Sequence, residues 1–106
     1  MIEFKEGVRL HLLQPQMLIA LQVVGELYDN YRLPLVVTSC NDSTHGEQSL
    51  HYKGLAMDFR TKNAPGIAKG IYLAARAKLR HLGFDVLFEG EGGENEHIHV
   101  EWDPKD

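Results

Sequence analysis

Apolar positions change their period several times along the chain, and each change marks an element. After Gln14-Pro15-Gln16, the residues Leu18, Leu21, Val24 (or Gly25) and Tyr28 recur at helical spacing. Pro15 suits a first turn because the N–H it lacks has no intrahelical partner there. The spacing predicts a helix from about Pro15 to Tyr31. Leu35-Val36-Val37-Thr38, a short β-branched run after Pro34, predicts a core strand. From Cys40 to Leu50 the chain turns polar, with Asn41, Asp42, Ser43, Thr44 and Gly46, which predicts a functional loop. Between Leu55 and Arg60 the period becomes two. Leu55, Met57 and Phe59 share one face and Ala56, Asp58 and Arg60 the other, so Asp58 projects from a rigid strand. Pro65-Gly66 opens a second helix with Ile67, Ile71, Ala74, Ala75, Lys78 and Leu82 along one side and Gly83 as its terminator. Phe84 to Glu89 reads as a strand, Gly90 to Asn95 as a loop rich in Gly and Glu, and His97 to Trp102 as a last strand.

Helices and strands in this order do not alternate strictly, and several strands follow loops or hairpins. The expected fold is therefore α+β, a small, mainly antiparallel sheet with two main helices. With 106 residues and no internal repeat, low-complexity tract or linker, one compact domain spanning residues 1–106 is expected. A hydrophobic fraction of 43% is enough for one ordinary core. The net charge of -4, with no block of basic residues, argues against a nucleic-acid partner. The single cysteine, Cys40, excludes an intramolecular disulfide and reads as a small residue at a strand end. Met1 to Leu13 is interrupted by Glu3, Lys5, Glu6 and Arg9. Neither a signal peptide nor a membrane span is expected, and the chain is expected to be made in the cytoplasm without its own export signal.

The chemistry-bearing residues gather in two segments, Ser49-Leu50-His51-Tyr52-Lys53-Gly54-Leu55-Ala56-Met57-Asp58 and Glu96-His97-Ile98-His99. His51, Asp58 and His99 together would provide three protein ligands and leave the fourth tetrahedral position for water, the arrangement of catalytic zinc. Imidazole with carboxylate suits zinc, whereas calcium or magnesium would seek mostly oxygen. His97 and His99 share a face if their segment is extended. Small residues at Gly54 and Ala56 let the backbone approach an ion without crowding it. Amide hydrolysis also needs a group that takes a proton from water and returns it to the leaving amine. Glu96 is the nearest candidate, provided that the strand begins or bulges at this position, since an unbroken strand would turn Glu96 away from His97 and His99. Glu89, Glu91 and Glu94 are alternative bases. His45 could donate to an oxyanion, and Ser49 could bind substrate or cap a turn. His11 and His81 lie outside the cluster and read as structural or solvent-facing.

Ser49-x-His51-x-x-Gly54-x-Ala56-x-Asp58 followed by Glu96-His97-x-His99 resembles the signature of the D-alanyl-D-alanine metallopeptidases. This zinc superfamily includes phage endolysin L-alanyl-D-glutamate peptidases and shares its fold and site with the hedgehog amino-terminal signalling domain. The resemblance covers Thr38 to Trp102. It implies zinc on His51, Asp58 and His99, an acid or base at Glu96, and His97 lining the pocket rather than binding metal. His45 matches a histidine that lies beside the zinc in the hedgehog version. The resemblance departs after Val37-Thr38-Ser39, where many peptidoglycan carboxypeptidases carry an arginine and this chain has Cys40, Asn41 and Asp42. That departure turns the expectation from a carboxypeptidase towards an endopeptidase, or towards a donor from elsewhere such as His45. The expected function is zinc-dependent cleavage of peptidoglycan stem peptides, at the bacterial cell wall if the chain is a phage lysin. The alternative is a zinc-containing binding or structural module without turnover.

Overall fold

The computed structural model describes residues 1–8, 13–40 and 54–104. Within them the chain runs through β1 (Ile2–Phe4), α1 (Met17–Asp29), β2 (Leu35–Ser39), β3 (Ala56–Arg60), α2 (Ala68–Leu79), β4 (Phe84–Glu89) and β5 (His97–Trp102). The strands form one sheet in the order β1-β2-β3-β5-β4. Every pairing is antiparallel except β1 with β2. The fold is thus α+β with a mostly antiparallel sheet and two helices, as the sequence implies.

Period two decides what each strand shows to each side. Val37, Met57, Phe59, Ile98, Val100, Phe84 and Val86 form one apolar face, and together with residues of α1 and α2 they make a single buried cluster. α1 packs against α2 and β2, and α2 packs against β4. Fully burying a side chain the size of Phe59 or Ile98 contributes roughly 1.5–3 kcal/mol, so one covered face stabilises the sheet. The other face is left mainly to polar residues. Asp58 and Arg60 on β3, His97, His99 and Glu101 on β5, and Asp85, Leu87 and Glu89 on β4 meet in register there.

Three expectations change in detail. α1 begins at Met17, because the turn through Pro15 and Gln16 places the Gln14 and Pro15 carbonyls to accept from Met17 and Leu18 N–H at 3.0 Å each. Its buried stripe is Met17, Ala20, Leu21, Val24, Gly25, Leu27 and Tyr28, and Leu18 is exposed. On α2 the buried positions are Ala68, Ile71, Ala75 and Leu79, while Leu82 is exposed. The helix has by then tightened into a 3-10 turn, Arg80–Leu82, which rotates the later side chains off the stripe. The third change is β1. It is short and exposed along its length, so it carries no alternation to read, and its pairing with β2 is a tertiary event.

Gly83 ends the second helical segment as expected, at φ +93. A Cβ there would also meet the Trp102 ring nitrogen at 3.1 Å, so conformation and packing both require glycine. Cys40 is buried just after β2. No helix among the described residues is long and apolar enough to cross a membrane.

One hydrogen bond ties the helical layer to the polar side of the sheet. Tyr28, with no exposed surface, donates its hydroxyl to the Arg60 carbonyl at 2.6 Å, and burial pushes its phenol well above the ordinary range, with the Glu96 charge adding to the effect. Tyr28→Phe should cost about 1 kcal/mol, the usual worth of such a bond. Urea denaturation monitored by circular dichroism would check it, and an unchanged midpoint would assign the bond no role in stability.

Candidate metal centre

The site is assembled by strand register. Asp58 and His99 are cross-strand partners on β3 and β5, which brings Asp58 Oδ1 to 2.7 Å from His99 Nδ1 across 41 positions of sequence. β2 adds a register irregularity between Val37 and Ser39 that sets Ser39 opposite Asp58; bulges of this kind concentrate beside functional sites. Glu89, at the end of β4, pairs with His97. Its Oε1 lies 3.1 Å from His97 Nε2 and 3.9 Å from His99 Nδ1. One ligand atom from each of Asp58, Glu89 and His99 falls within 4.8 Å of the other two, so these side chains are positioned to hold a metal ion.

The protons of His99 bear on that conclusion. Its Nδ1 faces Asp58 and its Nε2 lies 2.7 Å from Glu101 Oε1. A neutral imidazole has one N–H and cannot donate to both carboxylates. Two arrangements relieve the conflict, an imidazolium or a cation between Nδ1 and the Asp58 carboxylate. The second has the form found at metal centres, where the ring nitrogen away from the metal donates to a carboxylate that fixes its tautomer. The donor set therefore fits a divalent ion. Without one, burial disfavours the charged ring, but the hydrogen bond and charge of Asp58, followed by those of Glu101, outweigh it and raise the His99 pKa from 6.5 to about 9.

His97 lines the adjoining cleft with Asp58, Arg60 and Glu96. Its Nδ1 donates to the Asn95 carbonyl at 2.6 Å, and its Nε2 faces Glu89 at 3.1 Å and Asp58 Oδ1 at 3.7 Å. The ring is thus held between a loop carbonyl and the metal group without belonging to it. β5 begins at His97, so Glu96 stands just outside the strand. Its Oε1 accepts from the Thr61 hydroxyl at 2.5 Å and its Oε2 from the Gly92 N–H at 2.9 Å. The Thr61 bond, then the Gly92 bond, with help from Lys62, hold its carboxyl below the usual range despite partial desolvation. Gly90 makes this loop possible: at φ +65 a Cβ would lie 3.0 Å from the Asn95 carbonyl oxygen.

Among the residues expected from the sequence, Asp58, His97 and His99 share one face of the sheet, and Glu96 lines the cleft beside Asp58 and His97. The expected ligand His51, and His45 and Ser49, lie outside the described residues. Glu89, considered above only as an alternative base, lies within the group that could hold a metal ion. Glu101 was not anticipated at all, although its place two beyond His99 puts it on the same face. With Asp85 and Asp103 it forms a second acidic group on that side. His81 is exposed on the 3-10 turn, as expected. No protein-family model matches the sequence, and no curated protein matches it.

Two consequences can be measured on metal-free protein. A folded pKa above the unfolded value means that His99 contributes stability fully present below pH 6.5 and lost as pH rises through about 9; the contribution is up to about 3 kcal/mol. Imidazole NMR should place its midpoint near the upper value, Glu101→Gln should lower it, and a saturating divalent ion should abolish the titration. A midpoint at the ordinary histidine value would refute the two-carboxylate cage.

Proposed function

We propose that the chain is a zinc-dependent peptidase of the D-alanyl-D-alanine metallopeptidase type that cleaves peptidoglycan stem peptides. Its zinc ligands are His51, Asp58 and His99. The observation that carries the reading is the 2.7 Å approach of Asp58 to His99. The two motif segments containing these residues were linked only by their chemistry, and register brings one member of each into contact. The mixed imidazole and carboxylate donor set suits zinc better than an oxygen-seeking cation. Zinc, when bound, supplies Lewis acidity and lowers the pKa of the water it holds.

The chain's own residues orient the reaction and move its protons. Glu101 holds the His99 ring with Nδ1 towards Asp58. His97, fixed by the Asn95 carbonyl, lines the cleft in which the peptide lies. Glu96, kept ionised by Thr61 and Gly92, takes a proton from the attacking water and delivers it to the leaving amine. His45 donates to the tetrahedral oxyanion and Ser49 binds the peptide, roles that come from the motif alone. The place of action is the bacterial cell wall, as for a phage lysin. Glu89 competes with Glu96 for the base, since its carboxylate is nearer to the metal group.

A second reading is a zinc-bearing binding module with the same fold and no turnover. The two hydrogen bonds occupying the Glu96 carboxylate favour it, because a base stabilised in its charged form accepts a proton less readily.

The measurement is release of new amines from purified peptidoglycan by zinc-loaded protein. His51→Ala and Asp58→Ala should each lose bound zinc, read by metal analysis. Glu96→Gln should keep zinc and lose about a hundredfold or more of the rate. A loss of that size in Glu89→Gln instead would transfer the role, and no amine from the parent protein would leave the binding module.

A further inference from the structure

Among the described residues the sheet has two edges, β1 and β4. β1 pairs with β2 in parallel, through bonds from the Leu35 N–H to the Met1 carbonyl at 2.9 Å and from the Lys5 N–H to the Val37 carbonyl at 2.8 Å. Odd-numbered residues thus turn their backbone groups to β2. Successive residues of an extended strand alternate, so the N–H and C=O of Ile2 and Phe4 point away from the sheet. No described strand meets them. The Ile2 side chain leans on the helical layer, 3.5 Å from where a Cβ on Gly25 would stand. Phe4 shares that side, while Glu3 and Lys5 face the polar side, where Lys5 lines the cleft with Asp58. Ile2 and Phe4 remain 41% and 43% exposed, and Leu18, two turns before Gly25 on the same side of α1, is 60% exposed. An open edge with an apolar rim is a template for another strand.

Parity and charge decide which strand fits. A second copy of β1, laid antiparallel, bonds only through even-numbered residues, which leaves few registers. With Phe4 opposite Phe4, the two residues exchange both N–H···O bonds about a two-fold axis, and Glu3 of each copy faces Lys5 of the other. Such a pair makes no backbone bonds of its own, so its side chains lie closest. A shift of two residues either way sets Glu3 against Glu3 or Lys5 against Lys5, which repel. The favoured register also brings the two Phe4 rings together on the helical side, between the Ile2 side chains. β4 has no such option: its polar side carries Asp85 and Glu89 and no cation, so two copies meeting there would set carboxylate against carboxylate.

We propose that two copies of this chain join by antiparallel pairing of β1, centred on Phe4 and held in register by reciprocal contacts of Glu3 with Lys5. The result is one sheet continuous across the pair. The two-fold axis stands perpendicular to that sheet, so both metal groups lie on the same face. Glu3 of the partner subunit then stands at the rim of the cleft that Lys5 lines. This association goes beyond the peptidase reading and does not depend on it.

The test is sedimentation equilibrium of the full chain up to about 1 mM, a range suited to the small area that a short edge buries. Glu3→Lys, Lys5→Glu and an equimolar mixture of the two are run beside the parent. The parent should dimerise. Each variant alone sets like charges opposite one another and should weaken the dimer about tenfold or more. In the mixture every lysine again faces a glutamate, so the parental affinity should return. A parent that is monomeric at every concentration, variants as tight as the parent, or a mixture no tighter than its components overturns the proposal. If either variant fails to fold, amide exchange of the parent, read by NMR, decides. The Phe4 N–H should exchange more slowly as protein concentration rises. Exchange independent of concentration overturns the pairing, and slow exchange at every concentration would put another segment of the chain on this edge instead.

Discussion

The pairing of β3 with β5 is the constraint on which the polar side of the molecule depends. It sets Asp58 against His99 and Arg60 against His97, and a slip of one residue would send Asp58 and His99 into the apolar layer while bringing Phe59 or Ile98 out to solvent. Burial of Met57, Phe59, Ile98 and Val100 therefore protects the register, and the register protects the site. The core and the metal group are two sides of the same alternation, so neither can shift without the other.

Around that contact the charges are arranged as a series of unequal claims. His99 is approached by carboxylates at both ring nitrogens, while Glu89 stands opposite His97. Negative charge collects faster than the two imidazoles can balance it, a situation that invites a divalent cation more than it invites protons. Glu96 escapes the crowd by turning to Thr61 and to the Gly92 N–H. Its position at the entrance to β5, between the metal group and Lys62, places a pre-ionised carboxylate on the wall of the cleft. Arg60 and Lys62 line the same cleft, where Lys5, Arg60 and Lys62 are matched in number by Asp58, Glu94 and Glu96.

The support for this arrangement comes from behind the sheet. Tyr28 crosses from α1 to the Arg60 carbonyl, and the hairpin between β4 and β5 turns on Gly90, whose close approach to Asn95 leaves no room for a side chain. Rigid anchoring of this kind is what a site needs if its side chains are to be held in place before a ligand arrives.

Much of this was written in the sequence. Alternation from Leu55 to Arg60 and from His97 to Trp102 assigned both strands and both faces, because a strand's side chains obey a strict period of two, and the motif residues Asp58 and His99 followed from chemistry and spacing. Helical stripes were read less sharply: Leu18 and Leu82 fit the period but point away from the core, since where a stripe starts depends on the turn that precedes the helix and where it ends depends on how the last turn tightens. β1 left no mark, being three exposed residues whose strand character comes only from the neighbour they pair with. Register between strands is also silent in the chain. Glu89 joins the metal group because the loop from Gly90 to Glu96 closes β4 on β5 in one particular alignment, and Arg60 stands beside His97 for the same reason on the other edge. Local sequence thus determined which residues could serve and which way each would face. Tertiary pairing decided which of them meet, because the energy that selects an alignment is spread over the whole buried face and belongs to no single segment.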